Sequence, residues 1–560
     1  MTRAAGIALA AILVVGLALR LYHLHNPILD HPAWRQGDEA AIARNFLELR
    51  NNILYPQTDY NGPPPNYVEL ELQLVPYAAA QVYRVAGIHE VFARLFVIAF
   101  SLGCIPLLFV LGWELYSRRA GLFAAALFAV APGAVYYGRA IIPESDMLFF
   151  SIGALLFWCR FARTRTATNF WLAAAFAALA LLAKPLAIVI LAPMMALAFV
   201  RARDVSAGST QRWAPLALLA ITLVPLWLYY GHLHRIAEWH WATGITGLHV
   251  IPALLARLSS PAAFIAGLGG MLALLKMLAT TILGPALFGL VLVATVTQPR
   301  DNRAFERAVF FGAWIGALAL YAFVVVNVER VDYYLMPFVP FAVLYAAGGL
   351  DYLLSLVAPN GMSRVALTAS CVAAFIGIYA GMLEVHPYYT WSRAVFAAAN
   401  EVRATLPPGT LIVMGHYDPS VLYTIGHRGW EEDPYLWTVA DTLSAMRKGA
   451  RYFVAVEVPR LRANKQLYAF LLGYRRVQVR SGWQVYDLTQ RSALKVPTPQ
   501  LKVLTPQLNV LTPQPKVPTS QRKVHVLHSL LRGLAVVPAP APPPERPPLS
   551  HPIERDRGTR

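Results

Sequence analysis

Eleven stretches of this chain are too poor in charge to rest in water, and they restrict it to folds that a lipid bilayer can hold. They run over 4–19, 95–115, 122–135, 147–158, 170–182, 186–200, 213–230, 280–296, 309–326, 335–350 and 365–383. About 20 apolar residues carry a helix across the hydrocarbon core, so each run reads as one span. Lipid offers the backbone no water to bond, which favours helices over an open sheet. Only 14% of the 560 residues are charged, against about 25% in soluble domains. The expected fold class is therefore a polytopic α-helical membrane protein of about 11 spans, range roughly 9–13, with a small C-terminal α/β domain. No small-x-small cleavage pattern follows Leu19, so the first run reads as an uncleaved span rather than a signal peptide. Cys104, Cys159 and Cys371 all fall inside apolar runs. They read as small buried hydrophobes rather than a disulfide or metal framework.

A formal net charge of +18 would suit a nucleic-acid partner, but its distribution points elsewhere. Residues 491–560 hold eleven Lys or Arg and three Asp or Glu, so +8 of the total sits in a tail. Much of the rest gathers in short loops at Arg118-Arg119, Arg160 to Arg165, Arg201 to Arg203 and Arg300 to Arg307. Short basic loops between spans follow the positive-inside rule, and no nucleic acid is expected. With those loops in the cytoplasm, the first span runs outward and 23–90 becomes a large outer loop. Leu70 to Ala86 is apolar but interrupted by Glu71, Gln73, Pro76, Gln81 and Arg84, and reads as an interfacial helix on the outer surface. The same counting puts 136–146, Lys184-Pro185 and 327–334 at that face. A second outer loop, 231–262, carries His232, His234, Trp239, His240 and Trp241. A histidine pair can bind metal, but interfacial aromatics are the plainer reading. Gly267 to Ala279 reads as a further interfacial helix or half-span.

Three domains follow: a membrane domain over 1–384, a soluble domain over 385–490 and a tail over 491–560. In the soluble domain Leu411 to Met414, Tyr452 to Val456 and Val477 to Val485 read as strands. Ala394 to Thr405, Thr438 to Lys448 and Arg460 to Leu472 read as helices. An odd number of spans puts this domain outside the cytoplasm. The tail repeats a Thr-Pro-Gln-centred unit every seven residues over 494–523. Its prolines forbid a coiled coil, so the tail reads as extended low-complexity chain.

Carboxylates mark the outer face. Asp38-Glu39 sit in Trp34-Arg-Gln-Gly-Asp-Glu39, where they are either helix-capping loop residues or a general base and metal ligand. Glu144 and Asp146 lie at the outer end of the fourth run, and Glu69 and Glu71 open the interfacial helix. Acidic groups at a span boundary are uncommon and mark function. Lys184 follows a long apolar run, and Arg330, Tyr333 and Tyr334 stand at another boundary. Snorkelling, anchoring and aromatic-belt roles explain each singly; their convergence on one face is what points to a site.

This set resembles the GT-C superfamily of polyprenol-phosphate-sugar glycosyltransferases, in the branch of the protein O-mannosyltransferases and the lipid A aminoarabinose transferase. The resemblance covers roughly residues 5–350. Asp38-Glu39 matches the Asp-Glu of the family's first outer loop, and Trp34 to Phe46 follows its Trp-Arg-x-x-Asp…Ala-Arg-Asn-Phe pattern. Glu71-Leu-Gln-Leu74 stands where Glu-Phe-Pro-Leu is usual, keeping the carboxylate and losing the Phe and Pro. Asp146 matches the second-loop Asp, Tyr333 to Pro337 the Tyr-Tyr-Leu-x-Pro motif, and Leu182 to Pro185 the lysine turn after the fifth span.

The resemblance implies a multi-pass enzyme of the cell (inner) membrane whose site faces outward. It implies a polyprenyl-phosphate-linked sugar as donor and a lipid, glycan or protein as acceptor. It implies transfer with inversion, with Asp38 as general base beside Glu39. Arg139, Lys184, Arg330, Tyr333 and Tyr334 would hold the donor phosphate. Glu71 and Asp146 would hold a divalent cation (Mg, Mn or Zn). A transporter or flippase of lipid-linked sugars is the alternative. It predicts broken helices at the midplane and paired repeats, whereas here the carboxylates stand at the outer ends of spans.

Overall fold

The computed structural model describes residues 3–202, 209–238, 240–357, 364–477 and 479–492. Trp239, Arg203, the Cys371 side chain and the repeat tail from 493 onward lie outside the described residues.

Every one of the eleven apolar runs falls on helix. Eight described helices are long and apolar enough to cross a bilayer: Arg3–Leu21, Glu90–Leu115, Glu144–Thr164, Trp213–Ile236, Pro261–Ile282, Ala304–Glu329, Phe338–Val357 and Thr368–Thr405. Ala167–Ala183, Pro185–Arg201 and Gly284–Ala294 are shorter apolar helices, and Arg118–Val130 carries the run at 122–135. Two details differ from the sequence reading. The expected half-span at Gly267 to Ala279 belongs to the full-length apolar helix Pro261–Ile282. The run at 280–296 is split, because Gly284 takes a left-handed φ of 75° and starts a new helix against Pro132, whose ring leaves no room for a Cβ at Gly284. Cys104 and Cys159 are buried thiols, as expected.

The long loop after the first apolar helix, 23–90, is structured. Its core is a helix, Ala33–Glu48, buried continuously from Gln36 to Phe46 even though it is largely polar. Burial of polar groups is tolerated only when partners are supplied, and the loop supplies them. Arg44 pairs with Asp59, and Asn45 donates to the Gln57 carbonyl at 2.9 Å. The predicted interfacial helix forms as Leu74–Ala86, packing Val75, Pro76, Ala79, Ala80 and Tyr83 inward. Just before it, the Leu72 amide bonds the Leu182 carbonyl at 2.8 Å, strapping the loop to the end of helix Ala167–Ala183.

The C-terminal domain is a five-stranded sheet: β1 (Leu411–Gly415), β2 (Arg428–Glu431), β3 (Ala450–Ala455), β4 (Tyr474–Val477) and β5 (Gln484–Arg491). Its order is β2-β1-β3-β5-β4. β1 runs parallel to β2 and β3, and β5 is antiparallel to β3 and β4. Side chains alternate across the sheet: Ile412 and Met414 enter one core, Val413 the other. The predicted strand Val477 to Val485 is in fact the end of β4, a turn through Gly482 (φ 81°) and the start of β5. The predicted helix Arg460 to Leu472 breaks at Asn464, whose side chain caps Lys465–Leu472 through the Leu467 amide. β2 was not visible in the sequence. It is four residues long, and Gly429 at its centre has φ 150°.

This domain is built onto the 23–90 loop. Tyr60 joins its core, and Arg428 donates to Asn45 Oδ1 at 2.7 Å. Helix Pro419–Ile425 lies so close to helix Ala33–Glu48 that a Cβ on Gly37 would come within 2.6 Å of the Ser420 backbone. Gly37 is what lets the C-terminal domain sit directly beside Asp38.

Candidate active site

Asp38 and Glu39 follow that close contact, 4% and 2% exposed. Arg35, one turn earlier, meets Glu39 at 2.7 Å, the usual i,i+4 geometry, and also pairs with Glu71. Glu71 is positioned from behind, since Tyr229 Oη donates to its carbonyl at 3.1 Å. Glu39 and Asp146 line one cleft together with Gln73, Pro76, Ile141 and Pro143. Three carboxylates, Asp38, Glu71 and Asp146, thus gather around Glu39 and act on it electrostatically, and two of the four, Glu39 and Asp146, line the cleft itself.

Burial pushes the Asp38 carboxyl up to about 7, with Arg35 and Tyr60 opposing the rise and Asp418 adding to it. Glu39 is raised well above the usual carboxylate range by burial, against Arg35 and with Glu71, Asp38 and Asp146 all adding to the rise. Arg35 stays charged: despite burial, Glu71, Glu39 and Asp38 raise it well above its ordinary value. Among the described residues, Asp38 Oδ1 and Asp146 Oδ1 are buried with no hydrogen-bond partner. Such groups are costly unless a ligand completes them.

A second group adjoins the first. Lys184, 6% exposed, pairs with Glu144. Its ammonium stands 4.9 Å from the ring centroids of both Tyr333 and Tyr334, a cation–π arrangement. The pocket acts on these tyrosines: the Tyr334 phenol is raised by burial, with Arg35 opposing and Glu71 and Glu144 adding.

The structure treats the other expected cations differently. Arg139 is fully buried and bound to Asp30 at 2.5 Å, with its guanidinium over the rings of Tyr136 and Tyr389. Arg330 is exposed and closes the short helix Asn327–Glu329 in left-handed backbone, φ 49°. Arg35 and Tyr60 are not among the residues expected from the sequence, although Arg35 stands inside the Trp-Arg-x-x-Asp pattern. Glu144 is expected only as the boundary partner of Asp146, and its pairing with Lys184 comes from the fold.

Among the described residues, one cluster could hold a cation. Glu69, fully buried, faces His240 Nδ1 at 3.0 Å and His234 Nδ1 at 3.8 Å. One ligand atom from each lies within 4.8 Å of the others. The histidine pair is therefore His234 with His240, while His232 lies against the Leu54 carbonyl. Glu71 fits a metal less well, because Arg35 already occupies its carboxylate.

The fold is shared with solved membrane enzymes. ArnT from Cupriavidus metallidurans bound to undecaprenyl phosphate is similar with a TM-score of 0.55 at 14% identity, over 85% of this chain and 97% of that one. The oligosaccharyltransferase of Archaeoglobus fulgidus in its apo form gives 0.53 at 13% identity, over 84% and 73%. The same archaeal enzyme in complex with Zn and sulfate gives 0.52 at 15%, over 86% and 73%. No curated protein sequence matches the chain. The fold is the one these solved membrane proteins share. More narrowly, residues 73–230 match the family model described as dolichyl-phosphate-mannose-protein mannosyltransferase.

Proposed function

We propose that this glycosyltransferase moves a sugar from a polyprenyl-phosphate donor to an acceptor outside the cytoplasm, with inversion and with Asp38 as general base. The observation that carries the reading is Asp38 itself: buried, with one oxygen lacking a partner among the described residues and its pKa pushed up to about 7. A base poised near the working pH is the most effective kind.

In this scheme the acceptor oxygen attacks the anomeric carbon and gives its proton to Asp38. The bond from that carbon to the lipid phosphate breaks, and the phosphate leaves with the electron pair. Lys184 meets the developing charge, and the Tyr333 and Tyr334 hydroxyls donate to it. Arg35 holds Glu39 and Glu71 in place around the base. Arg139 drops out of the phosphate set, since Asp30 claims its guanidinium, and Arg330 is left to the rim. That ArnT is solved with undecaprenyl phosphate supports a lipid-linked donor. The basic loops support an outward-facing site in the inner membrane.

For a divalent cation we favour zinc at Glu69, His234 and His240, whose two imidazoles and one carboxylate suit that ion. Zinc there would tie the 231–262 loop to the first outer loop. Elemental analysis of the purified full chain checks this: about one zinc per chain is expected, lost in His240→Ala.

The reaction is tested in membranes charged with polyprenyl-phosphate sugars. Asp38→Asn should stop transfer while undecaprenyl phosphate still binds. Unimpaired transfer by Asp38→Asn would remove the base assignment.

A further inference from the structure

We infer that the acceptor enters the crevice between the outer sheet and helix Ala33–Glu48, and that the group it presents there is an uncharged, polyhydroxylated glycan rather than a phosphorylated one. The inference rests on the glycosyltransferase reading above and names the acceptor class for that same site.

The topology supplies the first argument. From β1 the chain crosses to β2 on one side, then returns past β1 to β3 on the other. The connections diverge between β1 and β3, and open α/β sheets bind ligands outside the carboxyl ends of the strands at such a point. The loops there are 416–418 after β1 and 456–457 after β3. His416 and Glu457 span the gap at 3.2 Å. This edge of the sheet faces the membrane domain: the Tyr417 ring stands edge-on 4.3 Å from Trp34, and Ser420 abuts Gly37.

The second argument is what lines the crevice. Trp34 is four residues before Asp38 on one helix, so the two share a face, and the Trp34 side chain approaches the Asp38 carboxyl. Trp241 stands 6.2 Å from Trp34 on its other flank. Tyr417 is 51% exposed, although a large aromatic placed for packing alone is normally covered. Asp38 is 96% buried by the same measure (4% exposed). The aromatic rim thus leads to a buried carboxylate that Trp34 and Tyr60 flank and whose Oδ1 has no hydrogen-bond partner among the described residues.

Charge supplies the third. Asp418 acts electrostatically on Asp38, and Glu431 on Tyr60 and Tyr417. The nearby basic side chains are already committed: His416 to Glu457, Arg460 to Glu457 at 3.1 Å and to Asp433, and Arg35 to Glu39 and Glu71. A phosphate entering this lip meets like charge. A sugar finds ring faces for its C–H surface and carboxylates that accept its hydroxyl protons.

The test uses the full chain in lipid nanodiscs. Saturation-transfer NMR titrates neutral mannan, arabinan, galactan and glucan oligosaccharides and their 6-phosphorylated counterparts, with undecaprenyl phosphate titrated in parallel. At least one neutral oligosaccharide should bind at least tenfold more tightly than its phosphorylated form. Tyr417→Ala should weaken that binding at least tenfold, Tyr417→Phe should restore it, and neither should change undecaprenyl phosphate affinity. Tighter binding of the phosphorylated forms, no binding across the set, or binding indifferent to Tyr417→Ala each overturns the inference. The wider reading fails separately, if the wild-type chain does not bind undecaprenyl phosphate.

Discussion

Asp30 and Asp38 are eight residues apart in one loop, both almost wholly buried, and the protein treats them in opposite ways. Asp30 is complete. Arg139 reaches it at 2.5 Å and Arg94 at 3.3 Å, Gln36 donates at 2.8 Å and Asn26 at 3.1 Å. Asp38 keeps an oxygen with no partner among the described residues and has its pKa pushed up to about 7. Burial alone therefore does not mark a reactive carboxylate. What separates the two is how completely the fold partners them: two guanidinium groups and two amides reach Asp30, whereas Arg35 acts on Asp38 electrostatically while paired with Glu39 and Glu71. Asp30 joins the first loop to the helix Glu90–Leu115 through Arg94 and to the 136–146 segment through Arg139. Asp38 is held in place by its helix and left chemically open.

The largest effect should come from breaking the completed partner. Asp30→Ala would leave two buried guanidinium groups unpaired, a loss of about 3–5 kcal/mol. It should show as a sharp drop in thermal stability of the detergent-purified chain, or as failure to purify at all. A melting temperature within a degree or two of wild type would refute the hub. Asp38→Asn should reverse that pattern, with intact folding and a turnover lower by about 10²–10⁴-fold. Lys184→Gln comes next: undecaprenyl phosphate affinity should fall about tenfold to a hundredfold, the scale of a charge-assisted hydrogen bond, with Lys184→Arg recovering part of it.

One side of this contrast, Asp38, is legible in the sequence, and the other, Asp30, is not. The apolar runs give the helices, because a bilayer punishes every charge placed in it. The basic loops put Asp38, Glu39, Glu71, Asp146, Lys184 and Tyr333 on one side as an expectation; in the structure Asp38, Glu71 and Asp146 gather around Glu39, and Lys184 stands against Tyr333. What the sequence could not convey was pairing. Arg139 and Lys184 look alike as lone cations at span ends, yet one is sealed against Asp30 and the other stands against two tyrosines beside Glu144. Asp30 itself carries no local pattern, since its partners lie 64 and 109 residues away. His240 was named but not joined to Glu69, a contact spanning 171 residues. Gly37 reads as filler until helix Pro419–Ile425 is seen against it. Long-range counter-charge is a property of the fold, and local spacing does not encode it.

The smallest effect sharpens the comparison most. The Asp38 carboxyl titrates near 7 when folded and near 3.9 when unfolded. Between those values the folded chain binds more protons than the unfolded one, so Asp38 makes stability fall as pH rises from about 4 to about 7, and the loss is complete above that. Asparagine has no such slope. The melting temperature of Asp38→Asn relative to wild type should therefore climb between pH 5 and pH 8, by on the order of a few degrees at most. Transfer by the wild-type enzyme should rise over the same range, by up to tenfold per unit well below pH 7, because only the ionised carboxylate accepts the acceptor's proton. Stability and activity then move in opposite directions on one titration. If Asp38→Asn and wild type keep a constant melting difference from pH 5 to pH 8, Asp38 is not the group that titrates near 7. A base poised by burial would then have to be sought at Glu39, whose carboxyl burial and the neighbouring acids raise well above its usual range.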